Sequence, residues 1–134
     1  MKYLLDTDIC IYLINHNPLH VRQHFLAQTL GDIGVSSITV AELQYGAQKS
    51  QHPERNRDAL EQFLMPLVIA DFDMQAAIVY GELRAVLEKA GTPIGALDVL
   101  IAAHALSLDV TLVTNNTREF SRVPDLQIAN WAAE

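Results

Sequence analysis

Short apolar runs alternate along this chain with longer segments whose apolar residues recur at helical spacing. The short runs predict β-strands at residues 2–5, 33–36, 67–70, 110–114 and 126–129. The longer segments predict α-helices at residues 9–14, 18–30, 39–49, 54–64, 73–90 and 96–108. Because strands alternate with helices, we predict parallel β–α–β units in a single three-layer α/β/α domain over residues 1–134, with a central, mostly parallel sheet.

The composition is typical of a globular domain. Half of the 134 residues are apolar, and a chain of this length can close one hydrophobic core. No apolar run approaches the ~18 residues of a membrane span, and the N-terminus has no secretory signal pattern, so we expect a cytoplasmic protein. The one cysteine, Cys10, excludes an internal disulfide framework and a cysteine-rich zinc site.

The net charge of −7 argues against a nonspecific nucleic-acid binder, because such proteins bind through a basic surface. The bases are nonetheless clustered. Lys49, Arg55 and Arg57 lie around one loop, and Arg118 and Arg122 lie near the C-terminus. A cation bound among the acids would also make the local electrostatic field positive, which would favour a nucleic acid there. The charge therefore leaves nucleic-acid binding open.

Four acids lie where the predicted strands end. Asp6 follows the first strand, and Glu42 lies one turn into the helix after the second. Asp98 is near the start of its helix, and Glu119 lies beyond the strand at 110–114. In a parallel sheet these positions share the carboxyl edge, where ligands bind. Hard oxygen ligands of this kind suit Mg²⁺ or Mn²⁺, so the pattern predicts a metal site for phosphoryl chemistry.

Each of these acids also has a structural interpretation. An aspartate near a helix N-terminus can cap the helix or stabilise it through the helix dipole. In a capping box, a glutamate three residues after the cap reaches back to the N–H of the cap residue. The patterns concerned are Asp6 or Asp8 before the first helix, Asp98 at the start of its helix, Thr39-x-x-Glu42 and Asn116-x-x-Glu119.

Histidines form a second candidate pattern. His16, His20 and His24 are spaced four residues apart, as on one helix face. Pro18 interrupts this run, so we expect solvent-exposed side chains there rather than a metal site. His104 falls on the apolar side of its predicted helix, and we expect it to be a hydrogen-bonded core residue.

Four sequence motifs follow one another along the chain. They are Leu4-Leu5-Asp6-Thr7-Asp8, Ser37-Ile38-Thr39-Val40-Ala41-Glu42-Leu43-x-x-Gly46, Gly95-x-x-Asp98-x-x-Ile101-Ala102-Ala103-His104-Ala105 and Leu112-Val113-Thr114-Asn115-Asn116-x-x-x-Phe120. In order, spacing and chain length they resemble the motifs of PIN domains, and most closely those of the VapC class of toxin–antitoxin ribonucleases. The resemblance spans essentially the whole chain.

The resemblance implies a Mg²⁺- or Mn²⁺-dependent endoribonuclease. Asp6 and Asp98 carry over as metal ligands, and Glu42 as a ligand or as a residue that orients water. The fourth acid of the family is usually an aspartate at the position that Asn116 occupies here. We therefore expect Glu119, one turn later, to replace it as the fourth catalytic acid.

The resemblance also implies supporting residues and partners. Thr114 and Asn115 are expected to hydrogen-bond a metal-binding carboxylate or the phosphate, with Asn116 beside them and Arg118 on an RNA phosphate. Asp8 carries over as a helix cap rather than a ligand. A homodimer and a VapB-like antitoxin are expected partners. The expected substrate is tRNA, cut in the anticodon loop, where unstacked bases are accessible.

Two alternatives remain open at this point. An Asp-x-Asp phosphatase also begins with a strand and two acids, but Cys10 occupies the place of the Thr or Val that such an enzyme would have. A catalytically weak PIN-like module that binds RNA or protein is the non-enzyme alternative. Asn116 is the residue that favours it.

Overall fold

Strands and helices alternate along residues 1–133, the part of the chain that the computed structural model describes. The strands are β1 (Tyr3–Leu5), β2 (Ile33–Ser36), β3 (Val68–Ala70), β4 (Thr111–Val113) and β5 (Ile128–Ala129). The α-helices are α1 (Thr7–Ile14), α2 (Leu19–Leu26), α3 (Ser37–Gln48), α4 (Pro53–Leu64), α5 (Met74–Lys89), α6 (Ala96–Leu108) and α7 (Thr117–Phe120). None of these helices has the length and apolar character needed to cross a membrane.

The five strands form one sheet in the order β3-β2-β1-β4-β5, and every neighbouring pair is parallel. Leu5 of β1 pairs with Val113 of β4, and the Asp6 N–H donates to the Val113 carbonyl oxygen at 2.8 Å. Because β1 and β4 end in register, Asp6 and Thr114 leave the sheet side by side at its carboxyl edge. This places the first candidate acid at the centre of that edge.

The central strand divides the hydrophobic core into two parts. Leu4 and Leu5 point to opposite faces of the sheet, as successive strand residues do, and both are fully buried. Leu4 packs with Leu87 and other residues of α5 and α6, whereas Leu5 packs with Ile9 and other residues of α1 to α4. Helices therefore cover both faces, and the predicted α/β/α fold with a parallel sheet is confirmed.

The predicted helix over residues 18–30 is too long. Helix α2 ends at Leu26, and a separate 3₁₀ turn, Leu30–Asp32, leads into β2. Leu26 and Leu30 are 65% and 49% exposed, so a continued helix would bury little apolar surface. Helix stability comes mostly from packing of such a surface, and without it the chain turns towards the sheet. The helices predicted at 73–90 and 96–108 match α5 and α6 to within one residue at each end.

The histidines around α2 contact the C-terminal segment. His24 stacks on Trp131 with ring centroids 5.9 Å apart, and a ring nitrogen of His20 contacts the carbonyl oxygen of Ala132. His16 and His24 are exposed as expected, whereas His20 is half-buried. These contacts give the histidines a packing role between α2 and the chain end.

His104 joins α6 to the end of β2. It is 1% exposed, and its Nδ1 lies 2.8 Å from the hydroxyl oxygen of Ser36. Burial lowers the pKa of its imidazole, because a charged ring is disfavoured away from water. The expectation of a hydrogen-bonded core histidine is confirmed. The bond fixes the point at which β2 passes into α3.

Candidate active site

Acids from four parts of the chain meet at the carboxyl edge of the sheet. A shallow pocket of about 290 Å³ is lined there by Asp6, Thr7, Asp8, Ile11, Glu42, Asp98 and Asn116. Three of the four acids singled out from the sequence line this pocket. The fourth, Glu119, adjoins it through a hydrogen bond that Asn116 Nδ2 donates to Glu119 Oε2 at 2.9 Å. The parallel sheet thus brings all four to one place.

Asp6 is held on both of its oxygens. Its Oδ1 accepts from the Thr7 N–H at 2.8 Å, and its Oδ2 accepts from the Thr114 hydroxyl at 2.7 Å. The side chain is 6% exposed, and this burial raises the pKa of the carboxyl although the two hydrogen bonds oppose the shift. Asp6 therefore caps α1, as the structural interpretation predicted, and also lines the pocket. The two interpretations are compatible.

Thr114 carries out the hydrogen bonding that the sequence predicted for it, since its partner is a candidate ligand carboxylate. Asn115 contributes mainly through its backbone, whose N–H donates to Asp8 Oδ2 at 3.1 Å. Its side-chain amide donates instead to the Tyr12 hydroxyl at 3.2 Å. Both residues thus support the acids on β1 and α1 from the neighbouring strand β4.

Asp8 is more closely involved than the sequence suggested. Its Oδ1 accepts from the Ile9 N–H at 2.7 Å, as expected of a cap, but the side chain also lines the pocket. Burial, with the nearby charge of Asp6 in second place, raises the pKa of Asp8 to about 6. The available signal was the closeness of Asp8 to the strand end, because the first turn of a helix that follows the strand lies at the same edge of the sheet.

Glu42 is not a capping residue. Helix α3 begins at Ser37, and the hydroxyl of Ser36 accepts the Ile38 N–H at 3.0 Å, so the proposed Thr39-x-x-Glu42 capping box is wrong. Ser36 takes the cap position because it ends β2 in extended conformation. Glu42 Oε1 instead accepts from the Thr7 hydroxyl at 3.1 Å and faces the pocket. Thr7 was missed by sequence reasoning, because a lone threonine carries no signal of its own.

Asp98 and Glu119 form a carboxyl pair beside Gly95. The Gly95 N–H donates to Glu119 Oε1 at 2.6 Å, and a Cβ at Gly95 would lie 3.1 Å from Asp98 Oδ2 and 3.6 Å from Glu119 Oε1. Burial, the hydrogen bond with Glu119 and the surrounding carboxylates raise the pKa of Asp98 to about 7. The hydrogen bond from Asn116 leads the causes that lower the pKa of Glu119. These opposite shifts make Asp98 the more readily protonated carboxyl of the pair.

The Asn116-x-x-Glu119 capping box is also wrong. Helix α7 begins at Thr117. Glu119 accepts its hydrogen bond from the side-chain amide of Asn116, whereas a capping box would require the backbone N–H of Asn116 as the donor. The side-chain amide of Asn116 can donate to a carboxylate, which a second aspartate at that position could do only when protonated. Arg118 on the same helix is exposed and directed away from the core.

The negative charge of the pocket is not balanced by a basic residue. Within residues 1–133 the ion pairs are Lys2 with Asp32 and Arg84 with Glu88, both away from these acids. Arg122 contributes a long-range charge that lowers the pKa of Glu119, while its guanidinium donates to the Pro93 carbonyl oxygen at 3.0 Å. The acids are therefore left to repel one another.

The residues fit a divalent cation chemically. They offer only hard oxygen ligands, and neighbouring carboxylates add to the effect of burial in raising the pKa values of Asp8 and Asp98. Across residues 1–133 no three His, Cys, Asp or Glu side chains already converge on one point. The hydrogen bonds to Thr7, Thr114 and Gly95 N–H hold the carboxylates in place individually. Binding an ion would release the proton shared at Asp98, since ligands must be deprotonated.

We expect Thr114→Val to lower Mg²⁺ affinity by about 10- to 100-fold, the usual effect of removing a partner of a metal ligand. The reason is the lost hydrogen bond to Asp6 Oδ2. Isothermal titration with Mg²⁺ measures the effect. Thr111→Val, at the other end of β4, is the matched control. Equal affinities in the two variants would show that Asp6 needs no support from Thr114.

We expect Glu119→Gln to lower Mg²⁺ affinity more than Asn116→Ala does. The first substitution removes a charge from the acid pair, whereas the second removes only a hydrogen-bond donor to Glu119. The same titration distinguishes them. If both variants bind Mg²⁺ equally well, Glu119 acts only through its hydrogen bonds with Gly95 and Asn116.

Comparisons with known proteins agree with this geometry. The family model described as the PIN domain matches residues 3–126. The chain is 47% identical over 131 residues to the tRNA(fMet)-specific endonuclease VapC of Salmonella typhimurium, covering 98% of each protein. It is 50% identical over 131 residues to the ribonuclease VapC2 of Haemophilus influenzae, again covering 98% of each. The crystal structure of DNA-bound VapBC from Salmonella typhimurium superposes with a TM-score of 0.94 at 46% identity, covering 98% of this chain and 99% of that one.

Proposed function

Since this chain belongs to the PIN-domain family, in its VapC class, we propose that it is a metal-dependent endoribonuclease toxin that cleaves tRNA and so inhibits translation. The observation that carries the proposal is the meeting of Asp6, Glu42, Asp98 and Glu119 at one edge of a parallel sheet. The relative named as a tRNA(fMet)-specific endonuclease supports tRNA as the substrate. Such a substrate places its action in the cytoplasm.

Asp6 and Asp98 would hold a Mg²⁺ or Mn²⁺ ion, with Glu42 as a third ligand or as the residue that orients water. When bound, the ion supplies Lewis-acid chemistry, which lowers the pKa of a water and offsets charge on the phosphoryl oxygens. The two hydrogen bonds on Asp6 fix its orientation before the substrate arrives, so little reorganisation is needed. The exposed guanidinium of Arg118 binds a phosphate of the RNA.

As the residue that orients water, Glu42 would position the attacking water. Its Oε1 is occupied by the Thr7 hydroxyl, which leaves the carboxylate a fixed direction and a free oxygen towards the pocket. That oxygen can accept a proton as water attacks the phosphorus. The bond that breaks is the P–O bond to the ribose oxygen of the leaving RNA fragment, and that oxygen takes a proton from solvent.

The proposal includes two protein partners. The superposed VapBC complex supports a cognate VapB-like antitoxin, which would block the acidic pocket. A homodimer is proposed from the resemblance to the VapC class. The exposed apolar side chains of α5, which are Met74, Ile78 and Val86, are available for such contacts.

Cleavage of total cellular RNA tests the proposal directly. The purified, antitoxin-free protein is incubated with Mg²⁺ or with EDTA, and the products are resolved on a denaturing gel. We expect discrete fragments shorter than intact tRNA, with a matching loss of the tRNA band, that form only with Mg²⁺. A folded protein that binds Mg²⁺ and RNA without cutting would instead support the binding-module alternative, with Asn116 as the cause.

A further inference from the structure

A long groove leads away from the acidic pocket between α1, α3 and α4. Its volume is about 650 Å³, more than twice that of the pocket, and the two share Thr7, Ile11 and Glu42. The far end of the groove reaches Lys49 at the end of α3 and Asn56 in α4. A substrate whose scissile bond lies in the pocket therefore has a continuous path along this surface.

One face of α3 forms the wall of the groove. Glu42, Tyr45 and Lys49 are at positions i, i+3 and i+7, which share one side of a helix, and all three line the groove. Seven residues span about 10.5 Å at the ~1.5 Å helical rise per residue. This is the length of about three nucleotides at the ~3.4 Å rise of a stacked duplex strand, and of fewer nucleotides in an extended single strand.

The chemistry of this wall changes along its length. Glu42 is at the acidic end, and Tyr45 in the middle is 67% exposed. The ammonium of Lys49 lies over the Tyr45 ring, 4.9 Å from its centroid, so an exposed aromatic ring and a positive charge occur together. Single-stranded nucleic acids bind to this combination, because bases stack on aromatic rings and phosphates pair with cations.

Two more cations extend the positive charge beyond Lys49. Arg55 and Arg57 are exposed on the first turns of α4, where they line a separate depression together with Glu54. Within residues 1–133 the ion pairs involve none of these three bases. Lys49 at the far end of the groove, with Arg55 and Arg57 beyond it, offers positive charge to the phosphates of a strand that leaves the acidic pocket.

We propose that a single RNA strand lies along this groove, with a base stacked on Tyr45 and its phosphates paired with Lys49, Arg55 and Arg57. The proposal rests on the proposed ribonuclease function and adds a nucleotide-binding subsite to it. The apolar floor, which includes Leu43 and Leu60, accommodates base faces, because unstacked bases present flat apolar surfaces. A protein segment would also match the floor, but RNA is the favoured occupant because the groove is continuous with the pocket of the scissile phosphate and ends at Lys49.

RNA binding measured without cleavage tests the subsite. Fluorescence anisotropy of a fluorescein-labelled anticodon stem–loop RNA is followed in EDTA for the wild type, Tyr45→Ala and Lys49→Ala. We expect each variant to bind about tenfold more weakly. For Lys49→Ala, the slope of log Kd against log salt concentration should also fall by about 0.7, the value for one lost phosphate contact on a single strand. Tyr45→Phe keeps the ring and should bind like the wild type.

Lys89→Ala is the matched control, since it removes an exposed lysine on α5 away from the groove. If Tyr45→Ala and Lys49→Ala bind RNA with wild-type affinity and salt slope, the subsite is overturned. If those variants instead lose only the cognate antitoxin, the groove belongs to the antitoxin. Weakened binding in the variants of a protein that never cuts RNA would uphold the subsite and refute the nuclease activity.

Discussion

Asp98→Asn is expected to lower the rate of RNA cleavage by more than about 100-fold and to leave the fold intact. Removing a hydrogen-bond partner of a metal ligand lowers metal affinity or activity by about 10- to 100-fold. Removing the charge of a ligand should lower activity by at least the upper end of that range. Asparagine has nearly the volume of aspartate, and Asp98 lies in the first turn of α6, where its side chain makes no cap hydrogen bond. The loss should therefore come from the chemistry alone.

Rates of tRNA cleavage in saturating Mg²⁺ measure this effect, with circular dichroism to verify the fold. Asp109→Asn is the matched control, because Asp109 lies at the other end of α6 in a left-handed conformation that asparagine also tolerates. An Asp98→Asn protein that cleaves at the wild-type rate would refute the assignment of Asp98 as a ligand.

The metal-free protein is expected to lose stability as the pH rises from about 4 to about 7. Asp98 has a pKa of about 7 in the folded chain against its usual 3.8, so in this range the folded state binds more protons than the unfolded state. The free energy of unfolding then decreases with pH. After allowance for solvent screening, we expect Asp98 to account for about 1–2 kcal/mol of the loss. Asp8, with a pKa of about 6, acts in the same direction.

Urea unfolding in EDTA at several pH values between 4 and 8 measures this loss. Asp98→Asn should be more stable than the wild type at pH 8 and should show a shallower pH dependence, whereas Asp109→Asn should behave like the wild type. Mg²⁺ should restore stability to the wild type at pH 8, because an ion that binds the folded state offsets the repulsion between its ionised carboxylates. If the free energy of unfolding depends on pH equally in the wild type and Asp98→Asn, ionisation of Asp98 does not destabilise the folded protein.

The sequence predicted the location of the site because its main determinants are local. A strand such as β1 is recognised from its own apolar residues, and Asp6 follows it directly. Once the strands were taken as parallel, their ends had to share an edge, and α6, which leads into β4, had to begin at that edge, so that Asp98 lies with Asp6. The end of the second helix was predicted less well, since it depends on whether residues such as Leu30 find a surface to pack on.

The hydrogen bonds within the site could not be predicted in the same way. Thr7 and Glu42 are 35 residues apart, and Gly95 and Glu119 are 24 apart, so these pairs meet only when the helices are packed. Local patterns gave the wrong partner for Glu42, because a capping box and a catalytic glutamate have the same sequence spacing. Tertiary contact decided between them.

The position of Asp6 after the central strand has a consequence for how the activity can be controlled. Strand β1 is paired on both sides, and Leu4 and Leu5 are fully buried on its two faces, so we expect this segment to exchange its amide hydrogens only when the whole domain opens. An active site carried on a mobile loop can be silenced by local disorder. Here no inexpensive partial melting separates Asp6 from its neighbours, and silencing requires an occupant of the pocket.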